Sequence, residues 1–307
     1  MIFGIYLSDR VYVSGDTRVT FKDAKGSVSY EDNVMKVSSI GLNTVVAVAG
    51  NLSFAKFFMK PLYKQADGKD VVKIRESIEE WSRSIADSYF RKNPYTTICM
   101  IIGGMDASRK HKIDGKKLIP LVKEFQEIRE VPMRLKDNLF KAISAHPDLS
   151  NPYPELPNDT PVLFSVVVGP PNRGIVLEDA TWGEYLAYGP GGINKDTITK
   201  EIFGRFEFEV GSGDYVSDSV TAAALINIES EDRHLTTVGG SITTFVVDDA
   251  VKTVTSSIKR FNASTETVDV ISETKLENNK FYSKIGGIWV ELIPIVDYSK
   301  KSSDLQI

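Results

Sequence analysis

The chain has 307 residues, of which 42% are hydrophobic and 25% charged, a balance typical of globular proteins. Its net charge of −4 provides no basic excess for a nucleic-acid backbone, so nucleic acid is not expected as the main partner. Cys99 is the single cysteine, which excludes an intrachain disulfide. We expect no secretory leader at the opening and no membrane span, since no apolar run approaches ~20 residues, and we therefore expect a cytoplasmic protein.

Short apolar runs predict strands through the first fifty residues. Residues 2–7 and 11–13 flank a three-residue turn and predict a hairpin. Two further strands are predicted at 34–38 and 44–49. Because the second of these is almost continuously apolar, both of its faces should be covered.

Helical periodicity follows these strands. Ser53 is expected to cap a helix over residues 54–62, which Pro61 should kink or shorten. Apolar residues then recur every three or four positions over 70–89, which predicts an amphipathic helix ended by Pro94.

Further strands and helices are predicted after residue 95, separated by an insertion. A basic, then proline-rich stretch at 107–160 predicts an inserted helical element with an extended loop. The remaining elements are predicted as strands at 96–102, 162–168, 175–177 and 241–247 and helices at 194–203 and 217–228.

This order predicts an α+β fold of the four-layer αββα sandwich type, with two facing sheets that each carry helices on the outside. We assign residues 1–249 to this domain, with 107–160 as its insertion. Residues 250–299 are expected to form a β-rich C-terminal extension, and 300–307 a disordered tail.

Five short motifs, spread over residues 2–249, together resemble one known family. They are Asp16-Thr17-Arg18-Val19-Thr20, Lys36 within the stretch 32–37, Val48-Ala49-Gly50, Ala187-Tyr188-Gly189-Pro190-Gly191 and Gly239-Gly240. The combination resembles the β-type subunits of the proteasome, which have the N-terminal nucleophile (Ntn) hydrolase fold, and the chain would be a divergent member.

The resemblance implies a site at the N-terminus. In that family an N-terminal threonine hydroxyl attacks a peptide carbonyl, and its own α-amine serves as the base. By the match, Lys36 would place positive charge beside the nucleophile, Asp16 would orient that lysine, and the Gly50 N–H would stabilise the oxyanion. Thr20, Gly189 and Gly191 match binding positions.

Several positions depart from the family pattern. Met1 stands at or beside the place of the nucleophile, and its thioether cannot serve in acyl transfer. The supporting aspartate and serine fall at about Leu235 and Val238, and the serine of the glycine turn is Pro190. We therefore interpret the site as vestigial; its members are Asp16, Lys36, Met1 and Gly50.

Without the resemblance, simpler interpretations stay open. Asp16 and Arg18 could be turn and surface ion-pair residues, and Lys36 an outward lysine on a strand. The three histidines show no metal-ligand spacing with each other or with Cys99, so neither a metal nor a cofactor is expected.

Two main hypotheses follow. The first is a proteasome-like protein that has lost its threonine protease activity and is a self-assembling or partner-binding structural subunit, a homo-oligomer or a protein that binds a partner through 107–160 and 250–299. The alternative is an active Ntn-type amide or peptide hydrolase or transpeptidase, with Ser14 or Thr20 as the nucleophile or with its natural start upstream of Met1. A third hypothesis is a small-molecule binding role.

Overall fold

The computed structural model describes residues 2–6, 10–22, 25–106, 160–180, 185–189, 239–247, 251–254, 257–262 and 267–295. These residues form eighteen strands and two helices. Neither of these two helices is long and apolar enough to cross a membrane.

The elements are numbered in chain order. The helices are α1 (Leu52–Ala66) and α2 (Val71–Phe90). The strands are β1 (Ile2–Tyr6), β2 (Val11–Asp16), β3 (Val19–Lys22), β4 (Val28–Glu31), β5 (Val34–Met35), β6 (Val37–Ser39), β7 (Thr44–Gly50), β8 (Ile98–Asp106), β9 (Thr160–Val168), β10 (Ile175–Asp179), β11 (Tyr185–Tyr188), β12 (Ile242–Val247), β13 (Val251–Val254), β14 (Ser257–Asn262), β15 (Thr267–Glu277), β16 (Lys280–Ile285), β17 (Ile288–Glu291) and β18 (Ile293–Pro294).

Two five-stranded antiparallel sheets form the body of the described chain. The first has the order β11-β1-β2-β12-β13, and the second β10-β9-β8-β7-β6. Apolar side chains of both sheets meet in one buried cluster, which includes Ile2, Val13 and Phe245 from the first sheet and Val45 and Ile101 from the second. The two sheets therefore share a core, and burial of these side chains stabilises their packing.

Both helices lie against the second sheet. The apolar face of α2 contributes Ile74, Ile78 and Ile85 to a cluster that also contains Phe54 of α1 and Phe164 of β9. The regular spacing of these apolar residues explains why α2 forms where the sequence predicts it.

The prediction of a four-layer αββα sandwich is wrong. The described chain is mostly strand, with smaller sheets besides the two large ones, and both helices pack on strands of the second sheet, α1 on β7 and α2 on β8 to β10. The C-terminal region adds strands that the sandwich does not contain: β13 extends the first sheet, and β14 to β17 form a sheet of their own. The helices predicted at 194–203 and 217–228, and the insertion apart from Thr160, lie outside the described residues.

Local details also differ from the sequence-based expectations. The cap of α1 is Asn51, whose side chain accepts the Phe54 N–H at 2.9 Å, and not Ser53. Pro61 lies inside α1, which continues to Ala66. The strand predicted at 96–102 is β8, which begins at Ile98 and continues through its two glycines to Asp106.

The C-terminal region is joined to the body at several points. Strand β18 pairs in parallel with β5, and the Ile293 N–H donates to the Asn33 carbonyl at 2.7 Å. The Phe281 ring lies 5.8 Å from that of Phe245, and the Ser283 and Ser241 hydroxyls are hydrogen-bonded. The division into 1–249 and 250–299 stays a prediction.

Candidate functional site

Asp16 is the centre of the candidate site. It ends β2 with its carboxylate fully buried, and the Lys36 ammonium donates to Oδ1 at 2.5 Å. The backbone N–H of Gly239 donates to Oδ2 at 3.1 Å. Both carboxylate oxygens are thus held, and the Lys36 side chain, only 10% exposed, is held with them.

The segment before β12 is hydrogen-bonded to the residue that follows Asp16. The Thr17 N–H donates to the Ser241 carbonyl at 2.9 Å, and the Ser241 N–H donates to the Thr17 hydroxyl at 2.8 Å. Gly239 lies so close to Arg18 that a Cβ atom built there would fall 2.5 Å from the guanidinium carbon. A side chain at position 239 would therefore displace the Arg18 guanidinium where these two segments meet.

The charge on Asp16 is stabilised despite its burial. Burial alone raises the pKa of the Asp16 carboxyl group, but the positive charges of the amino terminus and of Lys36 outweigh that effect. The net result is a pKa below the ordinary value, so Asp16 is ionised at neutral pH and forms a true ion pair with Lys36.

Arg18 belongs to a separate ion pair. Its Nε and Nη2 atoms donate to the two carboxylate oxygens of Asp32 at 2.6 and 2.8 Å. The hydrogen bond to Asp32 raises the pKa of the Arg18 guanidinium, which also lies 4.9 Å from the centre of the Tyr30 ring. The strand β3 that follows Arg18 is therefore held to the segment at Asp32.

Gly50 occupies a position that only glycine adopts without strain. Its φ is +116°, and a Cβ atom there would lie 2.5 Å from the Thr97 carbonyl oxygen. Asn51 follows at once as the cap of α1. The chain thus turns from strand β7 into the helix at the edge of the candidate site.

A pocket of about 600 Å³ opens beside this turn. Thr20 and Gly189, two of the predicted binding residues, line it together with Lys36 and Gly50. Other lining residues are Arg18, Lys22, Leu52, Ser53, Cys99, Tyr188 and Ile295. Met1, Gly191, Pro190, Leu235 and Val238 lie outside the described residues, so their predicted places in the site have no structural counterpart here.

The nucleophile candidates have different surroundings. The Ser14 hydroxyl is fully buried and shares a hydrogen bond of 2.8 Å with the Thr244 hydroxyl. Burial raises the pKa of the Cys99 thiol to about 11, so the thiol is protonated at neutral pH. The Thr20 hydroxyl oxygen is buried without a hydrogen-bond partner among the described residues.

Within the described parts of the chain, no cluster of three or more potential metal ligands occurs.

Several contacts of the site were not expected from the sequence. The Gly239 N–H and the pocket residue Ile295 are more than 200 residues from Asp16 along the chain, and no local pattern indicates such contacts. Asp32 lies within one of the motifs, but its pairing with Arg18 was not predicted. The one feature of the sequence that indicates this pairing is the negative charge of Asp32, which lies near Arg18 in the chain.

Comparisons with known proteins leave the family unassigned. No protein-family model and no curated protein matches the chain. One similar solved structure is Anbu (ancestral beta-subunit) from Yersinia bercovieri, with 12% identity and a TM-score of 0.45 over 82% of this chain and 86% of that chain. So distant a likeness is compatible with a proteasome-like role but carries no argument for one. The assignment to the proteasome β-type subunits is therefore wrong on these findings.

Proposed function

We propose that the protein is a structural subunit without hydrolase activity that assembles with further copies of itself. The observation that supports the structural part most is the Asp16–Lys36 pair, which joins three separate segments of the chain. Both oxygens of Asp16 already accept hydrogen bonds, from Lys36 and from the Gly239 N–H. Such a pair is well suited to hold β2, the segment before β12 and the residue after β5 together.

The candidate nucleophiles support the same proposal. Ser14 is buried with Thr244 as its partner and does not line the pocket, and the Cys99 thiol is protonated. Thr20 does line the pocket, but none of the described lining residues is a carboxylate or a histidine that could take its proton. A hydrolase mechanism through Thr20 would need a base from elsewhere.

Exposed aromatic side chains support the assembly part of the proposal. Phe57 is 42% and Tyr95 is 66% exposed, and both contact rings that continue into the core. We call Phe57, Phe90 and Tyr95 the aromatic corner. Aromatic residues are enriched at protein interfaces, and burial of this corner in a second copy would remove apolar surface from water. The insertion 107–160 and the extension 250–299 are proposed as further contact regions.

Native mass spectrometry at micromolar concentration, combined with hydrolysis assays on fluorogenic peptides and amides, tests the proposal. We expect an oligomer, no turnover and no covalent adduct with a β-lactone probe. A strict monomer would overturn the assembly part. Turnover that is lost in Lys36→Ala but retained in the surface variant Lys56→Ala would overturn the non-catalytic part and support the hydrolase alternative.

A further inference from the structure

The aromatic corner is the accessible part of a row of four neighbouring rings. Adjacent ring centres in this row lie 5.1 to 5.6 Å apart, in the order Phe57, Tyr89, Phe90 and Tyr95. The last two rings stand at 86° to each other, and Tyr95 forms the exposed side of the angle between them. Rings in such an arrangement offer flat apolar surfaces to a rigid apolar group, and proline is the residue that aromatic-lined grooves commonly bind.

The charges around the aromatic corner are mostly positive. The stretches 53–61 and 87–95, which carry its rings, contain four basic residues and one acidic residue, Asp87. The four basic residues are all exposed and are Lys56, Lys60, Arg91 and Lys92. A partner that covers the rings therefore meets an excess of positive charge, which favours an acidic partner.

The chain itself contains a segment of matching chemistry. Residues 147–159, which we call the proline-rich segment, include four prolines and three carboxylates but no lysine or arginine. Its Pro154 and Pro157 have the P-x-x-P spacing that aromatic grooves recognise in polyproline II form. In that form the two prolines lie about 9 Å apart on one side, and two rings of the row that have one ring between them are at most about 11 Å apart.

The length of the chain places this segment on a second copy. Thr160 pairs with Asp106 at one end of β8, whereas Tyr95 precedes the other end by three residues. The nine residues of β8 separate these ends by about 26 Å. Even a fully extended chain carries Pro154 at most about 21 Å from Thr160, and Pro157 about 11 Å. The two prolines therefore cannot both reach the aromatic corner of their own chain.

We propose that the aromatic corner of one copy binds the proline-rich segment of a second copy, with Pro154 and Pro157 against the rings and Glu155 towards the basic residues around them. This inference rests on the proposed self-assembly and names the two surfaces that meet. Because the two surfaces differ, the contact is head-to-tail, and each copy offers one corner and one segment to two different neighbours.

Complementation between two variants tests this contact. Tyr95→Ser damages the corner and keeps the segment, whereas the double variant Pro154→Ala/Pro157→Ala does the reverse. In analytical ultracentrifugation we expect each variant alone to associate about tenfold or more weakly than the wild type. An equimolar mixture should form a heterodimer at a concentration at which each variant alone is monomeric, because one intact corner then meets one intact segment.

The matched control is Pro147→Ala, which changes a proline of the same segment outside the P-x-x-P motif and should associate like the wild type. An equal loss in this control, or a mixture without the heterodimer, would overturn the proposal.

A synthetic peptide of residues 147–159 separates this inference from self-assembly as such. Its binding to the full-length Pro154→Ala/Pro157→Ala variant, whose own segment does not compete, is measured by fluorescence polarisation. We expect binding that weakens about tenfold when Tyr95→Ser is added to the protein, or when both prolines of the peptide are replaced by alanine. Assembly of the wild type without peptide binding up to about 1 mM would overturn this inference alone, whereas a strict monomer would overturn the self-assembly as well.

Discussion

The carboxylate of Asp16 lies fully buried between the Lys36 ammonium and the Gly239 N–H. The replacement Asp16→Asn removes the negative charge of this carboxylate. The variant leaves Lys36 buried without a counter-charge. We expect it to lower the free energy of unfolding by about 3–5 kcal/mol, as is usual when one member of a buried ion pair is lost. Urea denaturation measures this change.

The control for that experiment is Asp179→Asn. Asp179 pairs with Arg75 at 2.6 Å, but its side chain is 58% exposed. Loss of such a surface pair costs at most about 1 kcal/mol. A loss in Asp16→Asn no larger than that in the control would contradict a stabilising role of the buried pair.

The lowered pKa of Asp16 also predicts a pH dependence. The unfolded chain has a carboxyl pKa of about 3.9, and the folded value lies below it. The contribution to stability is therefore complete well above about pH 4 and is lost as the pH falls through the folded-state pKa. Denaturation curves between about pH 6 and pH 2.5 should show this loss in the wild type and a smaller loss in Asp16→Asn. Equal slopes in the two proteins would contradict the assignment to Asp16.

Cys99 should react slowly with thiol reagents. Its pKa of about 11 makes the thiolate fraction at pH 8 smaller by a factor on the order of a hundred than that of an ordinary cysteine, whose pKa is about 8.5. We expect alkylation by iodoacetamide to be slower by a similar factor in the folded protein than after denaturation in urea. Equal rates in both states would show that Cys99 is not shielded as the structure indicates.

At the scale of elements, β18 connects the C-terminal region to the segment that carries Lys36. The Ile293 side chain is 55% exposed, while its N–H donates to the Asn33 carbonyl at 2.7 Å. Ile293→Pro removes this donor, and we expect a stability loss of about 1 kcal/mol and faster proteolysis of the C-terminal region. Ile293→Ala keeps the donor and is the control. If alanine costs as much as proline, the hydrogen bond is not the cause.

Local sequence patterns predict individual helices and strands better than they predict how the strands pair into sheets. The apolar period of α2 and the continuous apolar run of β7 identify both elements, because burial of one face or of both leaves a trace in the sequence. The sequence predicts the cap of α1 two residues too late, at Ser53 and not at Asn51, because both residue types are good caps.

Sheet pairing depends on contacts that are distant in sequence. The chain order of strands and helices suggested helices on both sheets, but it does not reveal that β13 extends the first sheet or that β18 pairs with β5. For the site, the family resemblance implied that Asp16 orients Lys36, and the two side chains are in contact, whereas the Gly239 contact could not be derived from local sequence. The catalytic and binding roles of these residues stay predictions.

For the whole molecule, the aromatic corner makes the proposed self-assembly testable. Tyr95 is 66% exposed, so Tyr95→Ser should leave the fold intact while it removes a large apolar contact. We expect self-association to weaken about tenfold or more, as for a typical interface hot spot, measured by analytical ultracentrifugation. The control is Val176→Ser on β10, which is 56% exposed and lies elsewhere. Equal effects of the two variants would exclude the corner as the contact surface.

The hydrogen bond between Asp16 and Gly239 spans 223 residues of chain, and β2 pairs along its length with β12. During synthesis at about 5–20 residues per second, β2 therefore waits roughly 10 to 45 s before its partner strand exists. Until then the edge of β2 that pairs with β12 has no partner strand, and the carboxylate of Asp16 lacks the Gly239 N–H donor. The nascent chain should accordingly depend on chaperones, and its slow step should be the arrival of β12, because contacts so distant in sequence fold slowly.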